Sequence, residues 1–564
     1  MPDDTKPRQT PEPQPPAAPP RPRVKLTIDD RELEVEAGTN LLEAARATGV
    51  EIPHFCYHPR LSVAASCRMC LVETSNSPKP VPACQMPATE GLVVRTRSPV
   101  VKEAQRATLE FLLLNHPIDC AICDQAGECK LQDYYQAHDA QPSRLAGPKV
   151  QKDKRRQLGP LVTLDQERCV LCTRCVRFMR EAAGEPQLGV FGRGSHEVID
   201  TFPDRPLDSN YAGNTVDLCP VGALTNSDFR FTARAFFLTA TPSVCTGCAR
   251  GCSVWLDHFN GETYRYRPRE NPEINGPWMC DVGRLSYKPL VHDRALEVKI
   301  GRAGEGRTAE GREAARFALE KLKPLAGSER LAFVASPTAS VEDLLATFRL
   351  ALEGLKLKRV FVSGRPADKG DKLLLREDRN PNRLGLDWIA QAFGLAVEPF
   401  ERLIEEIDAE RVKGVLAVGA DVPTDPKLVA SLLLNLDPVI VLATNLGPVA
   451  GMGHVLLPAC PCSEDDGTFV NFEGRAQRFV AAYRTRGQSR PHWTWAATLL
   501  EELGVQVGWR SARDVFAELA PRVPQLAGFD WASAHGYLVH PRGLRTLPAA
   551  ADARHGIHRE RSQR

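Results

Sequence analysis

Long apolar runs are missing from this chain of 564 residues. Its apolar stretches, such as SLLLNLDPVIVLATNL, are broken by Asn, Asp and Pro well short of the roughly 20 residues that a membrane-spanning helix needs. The chain also has almost no net charge, because its 72 Lys and Arg residues nearly balance its 70 Asp and Glu residues. The sequence therefore predicts a soluble chain, with no electrostatic case for binding nucleic acid or an anionic membrane surface.

The sequence predicts no signal peptide either. The first 22 residues contain nine prolines and no apolar segment, so residues 1–23 are predicted to form a disordered arm. Residues 541–564 are expected to be a charged, solvated tail. Without an export signal the chain is expected to stay in a reducing cytosol, where clustered cysteines bind metals more often than they form disulfides.

The sequence also lacks a dinucleotide-binding motif. No G-x-G-x-x-G follows a predicted strand, and the nearest stretches, GMGHVL and GRGSHE, lack the third glycine. The sequence therefore supports no Rossmann-type dinucleotide site on this chain.

Clustered cysteine is what the sequence does contain. All but two of its 17 cysteines lie between Cys56 and Cys280, and with His116 they form four sets of four candidate ligands. The remaining two, Cys460 and Cys462, stand apart. Scattered structural cysteines would not sort in this way.

The first set has the spacing C-x10-C-x2-C-x13-C. Two predicted strands that turn at Asp29-Asp30, and a short helix that ends at Gly49, precede it. This order resembles plant-type [2Fe-2S] ferredoxins, although their first spacing is C-x4-C; zinc is the alternative. The nearby His54 and His58 are expected at the surface or behind the ligands. The set comprises Cys56, Cys67, Cys70 and Cys84.

The second set has the spacing H-x3-C-x2-C-x5-C and follows a predicted amphipathic helix, which Pro117 should end near His116. Taken alone, one imidazole and three thiols suit tetrahedral zinc as well as an iron–sulfur cluster. A lone histidine at a helix end is more often a capping or packing residue. The set comprises His116, Cys120, Cys123 and Cys129.

The third set, C-x2-C-x2-C followed at a distance by Cys-Pro, carries the bacterial ferredoxin signature of a [4Fe-4S] cluster. Although 43 residues precede Cys219, no second C-x2-C-x2-C lies nearby, so one cluster with Cys219 as its fourth ligand is the simplest assignment. Arginines crowd this set, either as a solvated helix face or as charge compensation for an anionic cluster; they are Arg168, Arg174, Arg177 and Arg180. The set comprises Cys169, Cys172, Cys175 and Cys219.

The fourth set, C-x2-C-x3-C with a remote cysteine, resembles the [4Fe-4S] domain that opens molybdopterin-dependent formate dehydrogenases and nitrate reductases. A zinc ribbon is the alternative. The set comprises Cys245, Cys248, Cys252 and Cys280.

From about residue 301 to residue 540, short buried strands alternate with helices, which predicts a parallel, doubly wound α/β sheet. The segment HVLLPACPCSEDDGTFVNFEGRAQRF resembles molybdopterin oxidoreductases. No cysteine lies between Cys280 and Cys460 to act as a molybdenum ligand. We therefore expect a scaffold domain without molybdopterin.

In this order, the modules are similar to those of the large iron–sulfur subunits of bacterial NADH-quinone oxidoreductase, respiratory complex I. The resemblance implies an α+β and α/β multidomain chain in which the four sets, His116 included, hold one [2Fe-2S] and three [4Fe-4S] clusters. It implies electron relay between a flavin/NADH-binding subunit and quinone-module subunits, on the cytoplasmic face of the inner membrane and touching the membrane only through the complex. The implied domains are residues 24–98, 99–145, 146–237, 238–296 and 297–540.

Two other functions share part of this pattern. One is an iron–sulfur electron-transfer subunit of a soluble NAD-linked hydrogenase or formate dehydrogenase, although a hydrogen-cluster domain would need more cysteine motifs after Cys280. The other is a zinc-stapled scaffold without redox activity.

Overall fold

The computed structural model describes residues 21–139, 141–529 and 531. Residues 1–20 of the predicted arm and the whole predicted tail, 541–564, lie outside the described residues. Within these ranges, no helix combines the length and the apolar character needed to cross a bilayer.

A five-stranded mixed sheet carries the first cysteine set. Its first hairpin turns at Asp29 and Asp30, whose φ angles of 45° and 66° suit a tight two-residue turn. The following helix begins where the Asn40 side chain accepts a hydrogen bond of 2.9 Å from the Glu43 amide. The sheet order is β2-β1-β5-β3-β4. The elements are β1 (Arg23–Ile28), β2 (Arg31–Glu36), α1 (Leu41–Ala47), β3 (Leu71–Thr74), β4 (Ser77–Pro82) and β5 (Leu92–Arg95).

Two helices frame the second set. Helix α2 (Pro99–Asn115) begins at Ser98, whose hydroxyl accepts from the Val101 amide at 3.2 Å. It ends at His116, which is extended because the following proline disfavours helix, as the sequence predicts. A single 3-10 turn over Cys120–Ile122 and helix α3 (Lys130–His138) complete the region.

The third and fourth sets lie on small antiparallel sheets with short helices. Around the third set are β6 (Arg156–Gln157), β7 (Val162–Leu164), α4 (Arg174–Glu181), β8 (Leu188–Phe191), β9 (Val198–Thr201), α5 (Gly213–Leu218) and β10 (Leu224–Asn226). Around the fourth are β11 (Thr239–Val244), β12 (Ser253–Phe259), β13 (Glu262–Pro268) and α6 (Asp281–Leu285).

The C-terminal half is built on an eight-stranded sheet of order β15-β14-β21-β20-β19-β16-β17-β18. Six neighbouring strands from β21 to β18 are parallel, which confirms the predicted doubly wound sheet, and β14 and β15 form an antiparallel edge. Strands β16, β19 and β20 are buried along their whole length, because helices cover both faces.

Strands and helices alternate through most of this half. They are β14 (Lys299–Ile300), β15 (Arg307–Thr308), α7 (Gly311–Leu322), β16 (Leu331–Ala335), α8 (Val341–Arg349), β17 (Arg359–Val362), α9 (Arg383–Ala392), β18 (Ala396–Pro399), α10 (Phe400–Asp408), β19 (Gly414–Val418), α11 (Pro426–Leu433), β20 (Val439–Ala443), α12 (Pro448–Gly451), β21 (Val455–Pro458), β22 (Gly467–Val470), β23 (Ala476–Phe479), α13 (His492–Glu502) and α14 (Ala512–Leu519).

Polar contacts tie the fourth cysteine loop to this α/β half. The Gln477 amide donates to the Gly251 carbonyl at 2.6 Å, and the Arg365 guanidinium donates to the Thr246 carbonyl at 2.6 Å. Both contacts join residues more than a hundred positions apart. The fourth set is therefore held by the α/β half as well as by its own strands.

Candidate metal centres

The four thiols of the first set are gathered at one place. They interact directly: hydrogen bonds with Cys67 and Cys84 lower the pKa of Cys56, while the pKa values of Cys67 and Cys84 rise in turn. Cys70 belongs to the same group, because its hydrogen bond with Cys84 lowers the pKa of Cys70. The Cys56 backbone amide donates to the Cys67 Sγ at 3.4 Å. All four predicted ligands are thus in one group.

The second set lines a cavity of about 300 Å³ that contains all four predicted residues. Burial lowers the pKa of His116 to about 4, so its imidazole is neutral at pH 7 and keeps a free ring-nitrogen lone pair. Burial also raises the pKa of Cys129 to about 12. A neutral imidazole beside buried thiols is a donor set for a metal centre.

The third set shares one small cavity, and Cys219 lies in it with the other three cysteines despite its distance along the chain. The binding loop requires left-handed backbone at Leu171 (φ 49°) and Thr173 (φ 58°). The Leu171 amide donates to the Cys169 Sγ at 3.4 Å. Burial raises the pKa of Cys172 to about 11.

The fourth set is buried at all four positions. The Gly247 amide donates to the Cys245 Sγ at 3.4 Å, and the Gly283 amide donates to the Cys280 Sγ at 3.3 Å. Burial, and then the neighbouring Cys248, raise the pKa of Cys245 to about 11. These thiols therefore lie within electrostatic reach of one another.

The chemistry of the sets fits iron–sulfur clusters. The thiols of Cys129, Cys172 and Cys245, whose pKa values burial raises, stay protonated alone and become thiolates only when a metal centre displaces their protons. Backbone amides that point at sulfur stabilise the thiolates that then form. Within residues 21–139, 141–529 and 531, no three His, Cys, Asp or Glu side chains are arranged to hold a lone metal ion.

Glycines next to the ligands are the functional residues that sequence reasoning missed. A Cβ added at Gly222 would lie 2.2 Å from the Cys123 Sγ, and one at Gly283 would lie 3.0 Å from the Cys245 Sγ. Each glycine follows a ligand closely, in CPVG and in CDVG, and that spacing was the available signal. At Gly222 the backbone passes so close to sulfur that a side chain does not fit, and at Gly283 a Cβ would make an unusually tight contact.

The four arginines near the third set have different environments. Arg168 is buried and paired with Asp119 at 2.6 Å, whereas Arg180 is exposed. Arg174 and Arg177 are buried, with exposed fractions of 7% and 5%. Of the four arginines, only Arg180 therefore lies on a solvated helix face.

The two histidines beside the first set also differ. His54 is buried, contrary to a surface position, and its Nδ1 lies 2.8 Å from the Ile52 carbonyl oxygen. Burial lowers its pKa to about 3. His58 stacks on Trp278 with ring centroids 5.2 Å apart.

Four segments of the chain match protein-family models. Residues 21–99 match a 2Fe-2S iron-sulfur cluster binding domain, and residues 105–144 match the NADH-ubiquinone oxidoreductase-G iron-sulfur binding region. Residues 159–225 match the ferredoxin-like domain of NADH-quinone oxidoreductase subunit 3, and residues 326–502 match molybdopterin oxidoreductase. These matches confirm the predicted fold class. None of the four segments includes the fourth cysteine set.

Curated relatives carry consistent names. The G subunit of NADH-quinone oxidoreductase from Streptomyces coelicolor is 35% identical over 462 residues, covering 80% of this chain and 54% of that protein. The corresponding protein of Rickettsia bellii, with the same name, is 42% identical over 328 residues, covering 58% of this chain and 48% of that protein. The chain thus spans about half the length of the curated relatives it matches.

One solved structure shares 33% sequence identity with part of the chain. It is an NAD+-reducing [NiFe]-hydrogenase in the H2-reduced state, and the match covers 37% of this chain and 90% of that chain with a TM-score of 0.35. A score this low supports no conclusion about fold. The names of the curated relatives do not favour the hydrogenase alternative.

Proposed function

Since the chain is homologous to the G subunit of NADH-quinone oxidoreductase over 80% of its length, we propose that it is an electron-relay subunit of such a complex. It passes single electrons from a flavin/NADH-binding subunit toward the quinone module. The observation that carries this proposal is that each of the four sequence sets gathers at one place in the fold. Four redox centres in one chain are a relay rather than a single catalytic site.

The residues that would hold the clusters are the four sets themselves. When bound, iron–sulfur clusters supply one-electron oxidation and reduction. The chain supplies burial, which excludes water from the centres, and amide donors that stabilise thiolate ligands. Cys56, Cys67, Cys70 and Cys84 would hold a [2Fe-2S] cluster, and the other three sets would each hold a [4Fe-4S] cluster.

Relatives of this chain are subunits of a complex, so the chain functions together with other subunits. We assign it to the cytoplasmic face of the membrane, between the flavin/NADH-binding and quinone-module subunits. Exposed apolar side chains beside the second set support a partner surface there. They include Ile118, Ile122 and Phe236, which are 54%, 63% and 57% exposed.

Iron content tests the proposal. One two-iron and three four-iron clusters predict about 14 iron atoms per chain after anaerobic purification, with no molybdenum or tungsten. Mass spectrometry for metals, with EPR after dithionite reduction, measures both. A measured content of about 10 iron atoms per chain would mean that one [4Fe-4S] site is empty and does not belong to the relay. Stoichiometric zinc in place of iron, or stoichiometric molybdenum, would contradict the proposal.

His116 is expected to tune the second centre. Replacing it with cysteine adds a thiolate charge, so we expect the reduction potential of that centre to fall by on the order of 100 mV. An EPR-monitored redox titration measures the change. The matched control, His196→Cys, alters an exposed histidine in the turn Gly194–His196 and should change no potential. An unchanged potential in His116→Cys would count against the ligand assignment.

A further inference from the structure

Two buried arginines connect the first and third cysteine sets. The Arg177 Nη2 donates to the carbonyl of Cys56 at 2.6 Å and to the carbonyl of Cys172 at 3.1 Å. One guanidinium nitrogen therefore joins the backbone of a ligand from each set. The residues it joins lie more than a hundred positions apart in the sequence.

Arg174 repeats this connection one turn earlier on helix α4. Its guanidinium donates to the carbonyls of Tyr57 and Leu218, the second at 3.4 Å. Tyr57 directly follows Cys56, and Leu218 directly precedes Cys219. Both arginines thus join the loop of the first set to backbone beside ligands of the third.

Neither guanidinium has a carboxylate partner among the residues that the structure describes. Their partners are carbonyl groups and, for Arg177, the Thr173 hydroxyl at 3.3 Å. This differs from Arg168 and Arg180, which both form ion pairs. A buried cation without a counter-charge is costly, so an anionic group nearby is expected to offset it.

The electrostatic neighbours of Arg174 in the first and third sets identify that anionic group. Arg174 interacts electrostatically with Cys172 of the third set and with Cys56 and Cys67 of the first. Thiolate-ligated iron–sulfur clusters are anionic, and positive charge next to a cluster favours its reduced form. The two arginines lie where they act on both centres at once.

We propose that Arg174 and Arg177 hold the ligand loops of the first and third centres together and raise the reduction potential of both. This inference rests on the proposed function. The arginines are positioning residues, since they act through the ligand loops.

Arg177→Met in the full, cluster-loaded chain is the test, read by EPR-monitored redox titration. At a fixed solution potential, we expect the ratio of reduced to oxidised centre to fall about tenfold at both sites, a shift of about 59 mV. Arg177→Lys keeps the charge and is expected to recover most of that ratio. Arg180→Met, an exposed residue of the same helix, should leave both ratios unchanged. A shift at one site only, or at neither, would overturn the proposal.

A second measurement needs no arginine variant. In the unmodified protein, reducing the centre at Cys172 should broaden the EPR signal of the [2Fe-2S] centre by spin–spin interaction, and Cys172→Ser should abolish the broadening. Independent signals would overturn the proposed adjacency. An unmodified chain without any cluster would instead contradict the proposed function, so the two failures are distinguishable.

Discussion

Replacing Gly222 with alanine is expected to remove about four of the roughly 14 iron atoms that the proposed clusters contain. The new Cβ would lie 2.2 Å from the Cys123 Sγ, closer than any real contact, and 3.1 Å from the Gln125 Cβ. A thiolate that binds a cluster cannot turn aside without leaving its metal. We therefore expect the second [4Fe-4S] centre alone to be lost.

Metal analysis and EPR of the purified variant measure this loss. The matched control is Gly508→Ala, because a Cβ at that exposed glycine meets nothing within 4 Å. The control should keep the full iron content and all EPR signals. A Gly222→Ala protein with unchanged iron and an unchanged second signal would show that this backbone does not pack against the centre.

Glu342→Gln is expected to stabilise the protein at pH 8 and to have little effect at pH 5. Glu342 is fully buried in the first turn of helix α8, and burial raises its pKa to about 8. One carboxyl oxygen accepts from the Thr468 amide at 2.8 Å, and the other has no hydrogen-bond partner among the described residues. A neutral amide suits this position better than a carboxylate.

The pH dependence follows from proton binding. Between the unfolded pKa of 4.5 and the folded pKa of about 8, the folded chain holds a proton that the unfolded chain has released. The free energy of unfolding therefore decreases as pH rises through this window, by up to about 5 kcal/mol at and above pH 8. Asp465, whose pKa burial also raises to about 8, acts in the same direction.

Thermal unfolding followed by circular dichroism between pH 5 and pH 9 measures the effect. The Gln variant should unfold several degrees higher than the unmodified protein at pH 8, with a flatter pH profile. Glu310→Gln, which changes an exposed carboxylate before helix α7, should keep the original profile. Equal pH profiles in Glu342→Gln and the unmodified protein would contradict the assignment of a protonated buried carboxyl.

The elements that the sequence predicted are those with local signals. Asp29-Asp30 marks a hairpin turn, Pro117 ends helix α2 at His116, and runs of buried apolar residues mark the strands of the parallel sheet. The cysteine sets were readable for the same reason, since most members of each set lie close together in the sequence. Only Cys219 and Cys280 needed the fold to place them.

The features that sequence reasoning could not reach depend on distant packing. Arg177 contacts Cys56 across 121 positions, and nothing in the local sequence distinguishes Arg177 from the exposed Arg180. Glu342 occupies a first helical turn, where acidic residues normally face solvent, and it is buried where helix α8 packs on strand β22, whose Thr468 amide donates to it. In both cases the environment of a charged residue is set by elements far away in the chain.

We propose that this chain relays electrons while a partner subunit binds the electron donor NADH. The direct measurement is the loss of iron–sulfur absorption after NADH is added anaerobically to the cluster-loaded chain, with and without a purified flavin/NADH-binding partner subunit. We predict bleaching only when the partner is present. Rapid bleaching by NADH alone, or none with the partner, would contradict the account.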